Sequence, residues 1–400
     1  MLASLALSVF LGACGGGGGS ETMPSAAPSA VQTAGSSSES LSAAAALGEQ
    51  VFFDAGLSAS GRLACANCHA PDHAHAQPDT RATPLGGPNN DVDGFRNAPS
   101  LRYLDRTPAF HFEPDGTPTG GFDRDGRAQT FAEQARRPFV PAHEMANGDA
   151  ATVIDKLKRA NYVEQFRSVF GAGILEDPDA AFDRLTFALA QYQKENAAFH
   201  PYDSKYDAFL AGCARLSEQE LRGLALFNRG DKGNCAACHI SGRGSDGSPP
   251  LFTDFTYDNL GVPRNAAIAA NSDPSYYDLG LCGPQRTDLS THKELCGAFK
   301  VPTLRNVEKT APYFHNGRFA TLKEAVGFYA RRDTHPEEWY PRDADGAVAQ
   351  FNDLPAEYHA NVNVSEVPYN RKPGEMPALS ASDIDDVVAF LNTLTDGYKP

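Results

Sequence analysis

Two short runs carry the chemistry of this chain: Cys65-Ala66-Asn67-Cys68-His69 and Cys235-Ala236-Ala237-Cys238-His239. Two thiols at this spacing, followed at once by an imidazole, form the attachment pattern of c-type haem. The thiols add across the haem vinyl groups and the His binds iron from the proximal side. A thioredoxin-like redox pair or half of a zinc site also uses Cys-x-x-Cys, but neither needs a His after the second Cys, and here it occurs twice. Cys65, Cys68 and His69 are therefore read as one haem site and Cys235, Cys238 and His239 as a second, with His69 and His239 as iron ligands.

Composition bounds what can surround these sites. The chain has 400 residues, 41% of them hydrophobic, enough for two or three packed domains. Gly and Pro number 36 and 28, which predicts much loop. The formal charge of −15 argues against a nucleic-acid partner. It is compatible with a basic electron donor, although a solvated acidic surface is the commoner reason for such a balance.

The N-terminus reads as an export signal. Leu2 to Leu11 is an apolar run far too short to span a membrane. It ends in Leu11-Gly12-Ala13-Cys14, which resembles a bacterial lipoprotein cleavage box with Cys14 lipidated; the alternative is ordinary secretion with Cys14 lost in the leader. The Gly/Ser/Ala/Pro tract that follows is a flexible tether. Either route leads to the periplasm, where the protein is soluble or lipid-anchored. In that oxidising compartment Cys282 and Cys296 are expected to pair as a loop disulfide. Cys213 is left over and is expected to be buried.

The elements that must position the haem motifs are mostly helical. Order is expected from Leu41, with Ala45, Leu47, Val51 and Phe52 on one apolar face. Helical spacing predicts one helix over Ala151–Phe170 (Val153, Leu157, Tyr162, Phe166, Val169) and another over Ala180–Phe199 (Phe182, Leu185, Leu189, Tyr192). Ser217-Glu218-Gln219-Glu220 and Thr321-Leu322-Lys323-Glu324 read as capping boxes. The second opens a helix with Leu322, Ala325, Val326 and Tyr329 on one face. A last helix is expected over Ile384–Leu394. Residues 241–297 form a long irregular insertion. The fold class is mainly α: two cytochrome-c-like haem domains with long irregular loops, residues 1–40 being signal and linker, 41–205 the N-terminal domain and 206–400 the C-terminal one.

Around the haem motifs stand Leu47-Gly48-x-x-Val51-Phe52-Phe53-Asp54, Arg96-Asn97-Ala98-Pro99, Asp125-Gly126-Arg127, Glu133-Gln134-Ala135, Glu144-Met145, Phe299-Lys300-Val301-Pro302-Thr303-Leu304-Arg305-Asn306 and Thr310-Ala311-Pro312-Tyr313-Phe314-His315-Asn316-Gly317. In order and spacing they resemble the bacterial di-haem cytochrome c peroxidase / MauG family, over roughly residues 45 to 395. The resemblance implies a peroxidatic N-terminal haem at His69 and an electron-transfer C-terminal haem at His239. It implies a distal Gln and Glu ten residues apart, matched by Gln134 and Glu144; read from type alone, both would be solvated surface residues. Peroxide chemistry needs such a proton-moving group.

The resemblance also implies a calcium ion between the haems, held by the Asn97 side chain and the carbonyls of Thr310 and Pro312. Oxygen donors suit a hard cation, although Asn97 could equally be a turn-stabilising amide. Tyr329 occupies the position of the second haem's sixth ligand, with Tyr as in MauG-type enzymes rather than Met; Met376 and Met145 are the competing sulfur ligands. The activating distal His of many relatives has no match in Pro78–Phe95, and His73 and His75 are read as solvated, so the first haem is expected to be open or water-bound. Two departures stand out: Arg124 where the family usually has Trp between the haems, and Gly233 where MauG has an outward Trp. The implied activity is reduction of hydrogen peroxide to water, with electrons from a small donor protein such as a cytochrome c or cupredoxin. The alternatives are a MauG-like oxidase modifying a protein side chain and a non-enzymatic di-haem electron carrier.

Overall fold

The computed structural model describes residues 40–400, so Cys14 and the export signal lie outside the described residues. The first helix, α1 (Ala43–Phe53), is capped by Ser42, whose hydroxyl accepts from the Ala45 amide at 3.1 Å. It buries Ala45, Leu47, Val51 and Phe52, as its periodicity requires. A single turn, α2 (Cys65–Cys68), carries the first haem motif. The short helix α3 (Phe131–Arg136) follows, capped by Thr130.

The single helix expected over 151–170 is two, α4 (Ala150–Leu157) and α5 (Val163–Phe170). The intervening turn lets Tyr162 bury its ring while its hydroxyl donates to Asp54 Oδ2 at 2.7 Å. Leu157, Tyr162 and Phe166 are all buried, so the apolar pattern survives the break that its periodicity concealed. Next, α6 (Pro178–Glu195) starts at Asp177, which accepts from two backbone amides, and ends before a 3-10 turn at Ala197–Phe199.

The second half repeats the plan. After α7 (Lys205–Leu210) comes α8 (Glu218–Asn228), opened by the Ser217–Glu220 capping box and leading into the second haem motif. Then α9 (Leu322–Arg331) is opened by the Thr321–Glu324 box, and α10 (Ala381–Asn392) closes the chain. Among the described residues the strands form three two-stranded antiparallel ladders of two residues each, so this part of the chain is helix-rich with minimal sheet. No described helix is long and apolar enough to cross a membrane.

Two helix crossings set the two cores. Helix α1 lies on α6, and α8 lies on α10. Each crossing is closed by one glycine. A Cβ on Gly48 would sit 2.0 Å from the Ala188 carbonyl oxygen, and one on Gly223 1.9 Å from that of Asp386. Only a residue without a side chain lets the backbones approach so closely. One apolar cluster gathers around the first crossing (Leu47, Phe52, Phe166, Leu185) and another around the second (Phe227, Phe328, Val387, Phe390).

The 241–297 insertion joins the halves. Its Asp278 accepts two hydrogen bonds from Arg96, at 2.6 and 2.7 Å, and Arg286 donates to the Asp125 carbonyl at 2.8 Å. Tyr257 and Lys300 pair across its ends, and Cys282 and Cys296 form the expected disulfide. Arg305, within one of the family-like motifs, is a structural residue: it is buried and holds Asp207 through two hydrogen bonds at 2.9 and 2.8 Å. Cys213, expected to be buried, is exposed on the turn after α7.

Candidate functional site

Two cavities open beside the two Cys-x-x-Cys-His runs. The first, about 170 Å³, is lined by Cys65, Cys68 and His69. The second, about 310 Å³, is lined by Cys235, Cys238 and His239. All four cysteines carry unpaired thiols. In each motif one ring nitrogen of the His is tied to backbone carbonyls. His69 Nδ1 lies 3.0 Å from Pro99 O and 3.3 Å from His75 O, and His239 Nδ1 lies 2.8 Å from Phe252 O. A proton held on Nδ1 by a carbonyl leaves Nε2 as the basic, metal-binding nitrogen. Burial pushes His69 down to about 4 and lowers His239, which favours the neutral ring in both. Apolar cavities bearing two thiols and an oriented neutral imidazole fit covalently attached haem.

The far wall of the first cavity is polar. Helix α3 brings Gln134 to it, and the turn after Pro138 brings His143, Glu144 and Met145. That turn is fixed by its backbone: Met145 N donates to Pro138 O at 3.0 Å, and Gly87 N to Glu144 O at 2.8 Å. Burial pushes the Glu144 carboxyl up to about 7; Arg127 and Arg137 oppose the shift and Asp123 adds to it. A carboxyl balanced there can both accept and donate a proton near neutrality. Gln134 and Glu144 thus come together with His69 on one cavity, as the spacing implied.

His143 was not singled out in the sequence. Its ring packs edge-on to Phe95 at 4.5 Å between centroids, and its Nε2 lies 3.9 Å from Glu144 Oε1. Burial and the nearby Arg127 lower its basicity. The signal was adjacency to Glu144, which puts an imidazole on the cavity wall although Pro78–Phe95 has none. His75, read as solvated, is buried: its ring lies 4.1 Å from that of Phe199 and its Nδ1 accepts from Arg102 Nε at 3.3 Å. It was misread because a polar residue close to a haem motif gives no local sign of the core behind it.

The far wall of the second cavity is aromatic. Tyr329 reaches it from α9, stacked on Phe314 at 5.6 Å and 6.0 Å from the ring of Tyr369. The predicted α9 face, Leu322, Ala325, Val326 and Tyr329, lines this cavity, while Phe328 and Ala330 are buried in the core behind it. Burial raises the Tyr329 phenol, so it would ionise only against a cation. Met376 is 84% exposed and Met145 lines the other cavity, so neither described methionine reaches this one. Tyr369 was also missed; it follows Pro368 in a loop with no helical pattern to advertise it.

The expected calcium donors share one cavity, but their side-chain oxygen is occupied. Asn97, Thr310 and Pro312 all line the second cavity, but Asn97 Oδ1 already accepts from Arg124 Nη2 at 2.8 Å. A guanidinium on that oxygen repels a second cation. Calcium takes six to eight oxygens, and of the expected donors the one side-chain oxygen is already taken by a cation. The residues present do not fit the ion.

Comparison with known proteins agrees with the haem geometry. Residues 42–215 match the family model described as di-haem cytochrome c peroxidase. The chain is 36% identical over 365 residues to methylamine utilization protein MauG of Paracoccus denitrificans, covering 90% of each chain. It is 31% identical over 309 residues to cytochrome c551 peroxidase of Nitrosomonas europaea, covering 77% of this chain and 78% of that one. The crystal structure of the diheme peroxidase BthA from Burkholderia thailandensis superposes with a TM-score of 0.82 at 40% identity, over 88% of this chain and 86% of that one.

Proposed function

This chain belongs to the di-haem cytochrome c peroxidase / MauG family, and from that premise we propose that it reduces hydrogen peroxide to water at the haem attached to Cys65 and Cys68. The family implies two c-type haems and a peroxide substrate. Cys65, Cys68 and His69 would hold one haem and Cys235, Cys238 and His239 the other, and each would supply a redox-active iron, the second serving as the entry point for electrons. On this reading the chain is two cytochrome-c-like domains, 41–205 and 206–400. It works in the periplasm, free or anchored through a lipid on Cys14, and takes single electrons from a small cytochrome c or cupredoxin.

The observation that carries this reading is the single cavity shared by His69, Gln134 and a carboxyl poised near neutrality, Glu144. Glu144 accepts a proton from the incoming peroxide and returns it to the departing oxygen. Gln134 orients the peroxide by hydrogen bonding and stabilises charge as the O–O bond breaks. His143 braces Glu144 and keeps the site polar. Tyr329 would offer its phenol oxygen to the iron of the second haem, and an anionic oxygen there would favour ferric iron. Calcium has no part here, because Arg124 holds the amide oxygen it would need.

The MauG-like alternative draws support from Tyr329 and from the MauG relatives. Gly233 counts against it. A Cβ there would meet Leu226 O at 2.7 Å and Cys235 Sγ at 3.1 Å, so this backbone has no room for an outward-passing Trp. A pure electron carrier would leave Gln134 and Glu144 without a task.

Low-temperature EPR of the fully oxidised protein, before and after stoichiometric peroxide, tests the reading. A high-spin signal beside a low-spin one, with the high-spin signal lost on peroxide addition, is the expected result. Two low-spin signals indifferent to peroxide, in both the oxidised and the half-reduced protein, would establish the electron carrier instead.

A further inference from the structure

Arg124 is a half-buried charge that the peroxide chemistry leaves unused. It lines both cavities. Its Nε donates to Asn97 O at 3.0 Å and its Nη2 to Asn97 Oδ1 at 2.8 Å. Its own carbonyl accepts from Lys300 N at 2.8 Å, so backbone and side chain are both pinned.

Among the described residues, every nearby carboxylate is engaged elsewhere. Asp278 takes two hydrogen bonds from Arg96. Asp125 is shared by Arg96 and Arg127, at 2.7 and 3.0 Å. Asp123 lies 3.3 Å from Arg127 and 3.6 Å from Arg137. The remaining charges that Arg124 feels, Arg96 and Lys300, are like charges. A guanidinium held only by neutral oxygens, with cations beside it, is costly to bury unless an anion faces it. The two cavities it lines are the two haem sites, and the anions a haem brings are its propionate carboxylates. Arginine pairs with carboxylates through parallel N–H donors better than any other side chain.

We propose that Arg124 is the resident cation between the two haem sites, its guanidinium standing where relatives are expected to hold calcium and facing haem carboxylates. It takes the same Asn97 oxygen and supplies one positive charge that cannot dissociate. The protein is therefore calcium-independent. A fixed positive charge near the irons favours their reduced forms, so Arg124 also raises the haem potentials. This rests on the two-haem reading.

The test uses the holoprotein and begins with haem content by pyridine haemochrome. A value below two per chain overturns the two-haem reading and the proposal with it. With two haems present, calcium is measured by elemental analysis after dialysis against a chelator, and both midpoint potentials are recorded with and without added calcium. Substoichiometric calcium and unmoved potentials are expected; one tightly held calcium per chain, or potentials that move with chelation, would overturn the proposal. Arg124→Gln should then lower the potential of at least one haem, while Arg124→Lys, which keeps the charge, should lie nearer the wild type. Unchanged potentials in Arg124→Gln would refute the charge role. If that variant fails to retain haem, the wild-type calcium measurement decides.

Discussion

The two halves of this molecule share a scaffold and differ in one wall. Both cross a pair of helices at a glycine, Gly48 on α1 and Gly223 on α8. Both tie the motif His through Nδ1 to a carbonyl, Pro99 in one and Phe252 in the other. The cavity walls diverge: His143 and Glu144 line the first, Tyr329, Tyr369 and Phe314 the second, and Gln134 borders both. The common part suits any covalent haem. The divergent part gives one site a carboxyl suited to moving protons, as proposed for Glu144, and the other a phenol that suits an iron ligand. Chemistry is thus distributed by which segment closes the cavity, while the scaffold repeats.

That comparison breaks if the polar wall proves idle. Glu144→Gln should slow peroxide consumption by about 10²–10⁴-fold, the usual worth of a positioned proton carrier, and leave the low-spin EPR signal of the second haem unchanged. The pH dependence carries the same message. Glu144 is pushed up to about 7, so its proton-accepting form grows as pH rises through 7. The peroxide rate should rise over that window in stopped-flow measurements, and the rise should vanish in Glu144→Gln.

The shared scaffold is tested by adding a methyl group to each crossing. Gly48→Ala and Gly223→Ala force a Cβ against a carbonyl oxygen and should each cost about 1–3 kcal/mol or more, read as a lowered Tm. If one is neutral, the halves are not built alike. On the aromatic wall, Tyr329→Phe should shift the low-spin haem spectrum and raise that haem's potential by removing an anionic oxygen. Met376→Leu should change neither, because that side chain is exposed. The smallest effect is expected of His143→Gln, less than about tenfold in peroxide rate, since it acts through Glu144 rather than on the substrate. A loss equal to that of Glu144→Gln would promote His143 to a direct role.

Much of the scaffold was legible because it is local. Capping boxes at Ser217 and Thr321 depend on residues three apart, and both are present. The apolar face of α1 depends on one helical period, and it is buried as expected. Where locality fails, so does the reading. The helix over 151–170 breaks because Tyr162 must reach Asp54, more than a hundred residues away in sequence. His75 is buried by Phe199, which no pattern near residue 75 announces. Apolar lining and apolar core share one helical period, so the pattern of α9 left Tyr329 as either; the tertiary packing puts that face on the second cavity.

By itself, then, the sequence marked the two Cys-x-x-Cys-His runs, the His proposed as ligand in each, and the helices that carry them, since such motifs and helical periodicity act between near neighbours. The tertiary structure alone decided that Gln134, His143 and Glu144 border the same cavity as His69, that Met376 stays outside, and that Arg124 takes the oxygen of Asn97. Those outcomes depend on distances between segments remote in the chain. Such distances follow from close packing and from the high cost of burying unpaired polar groups.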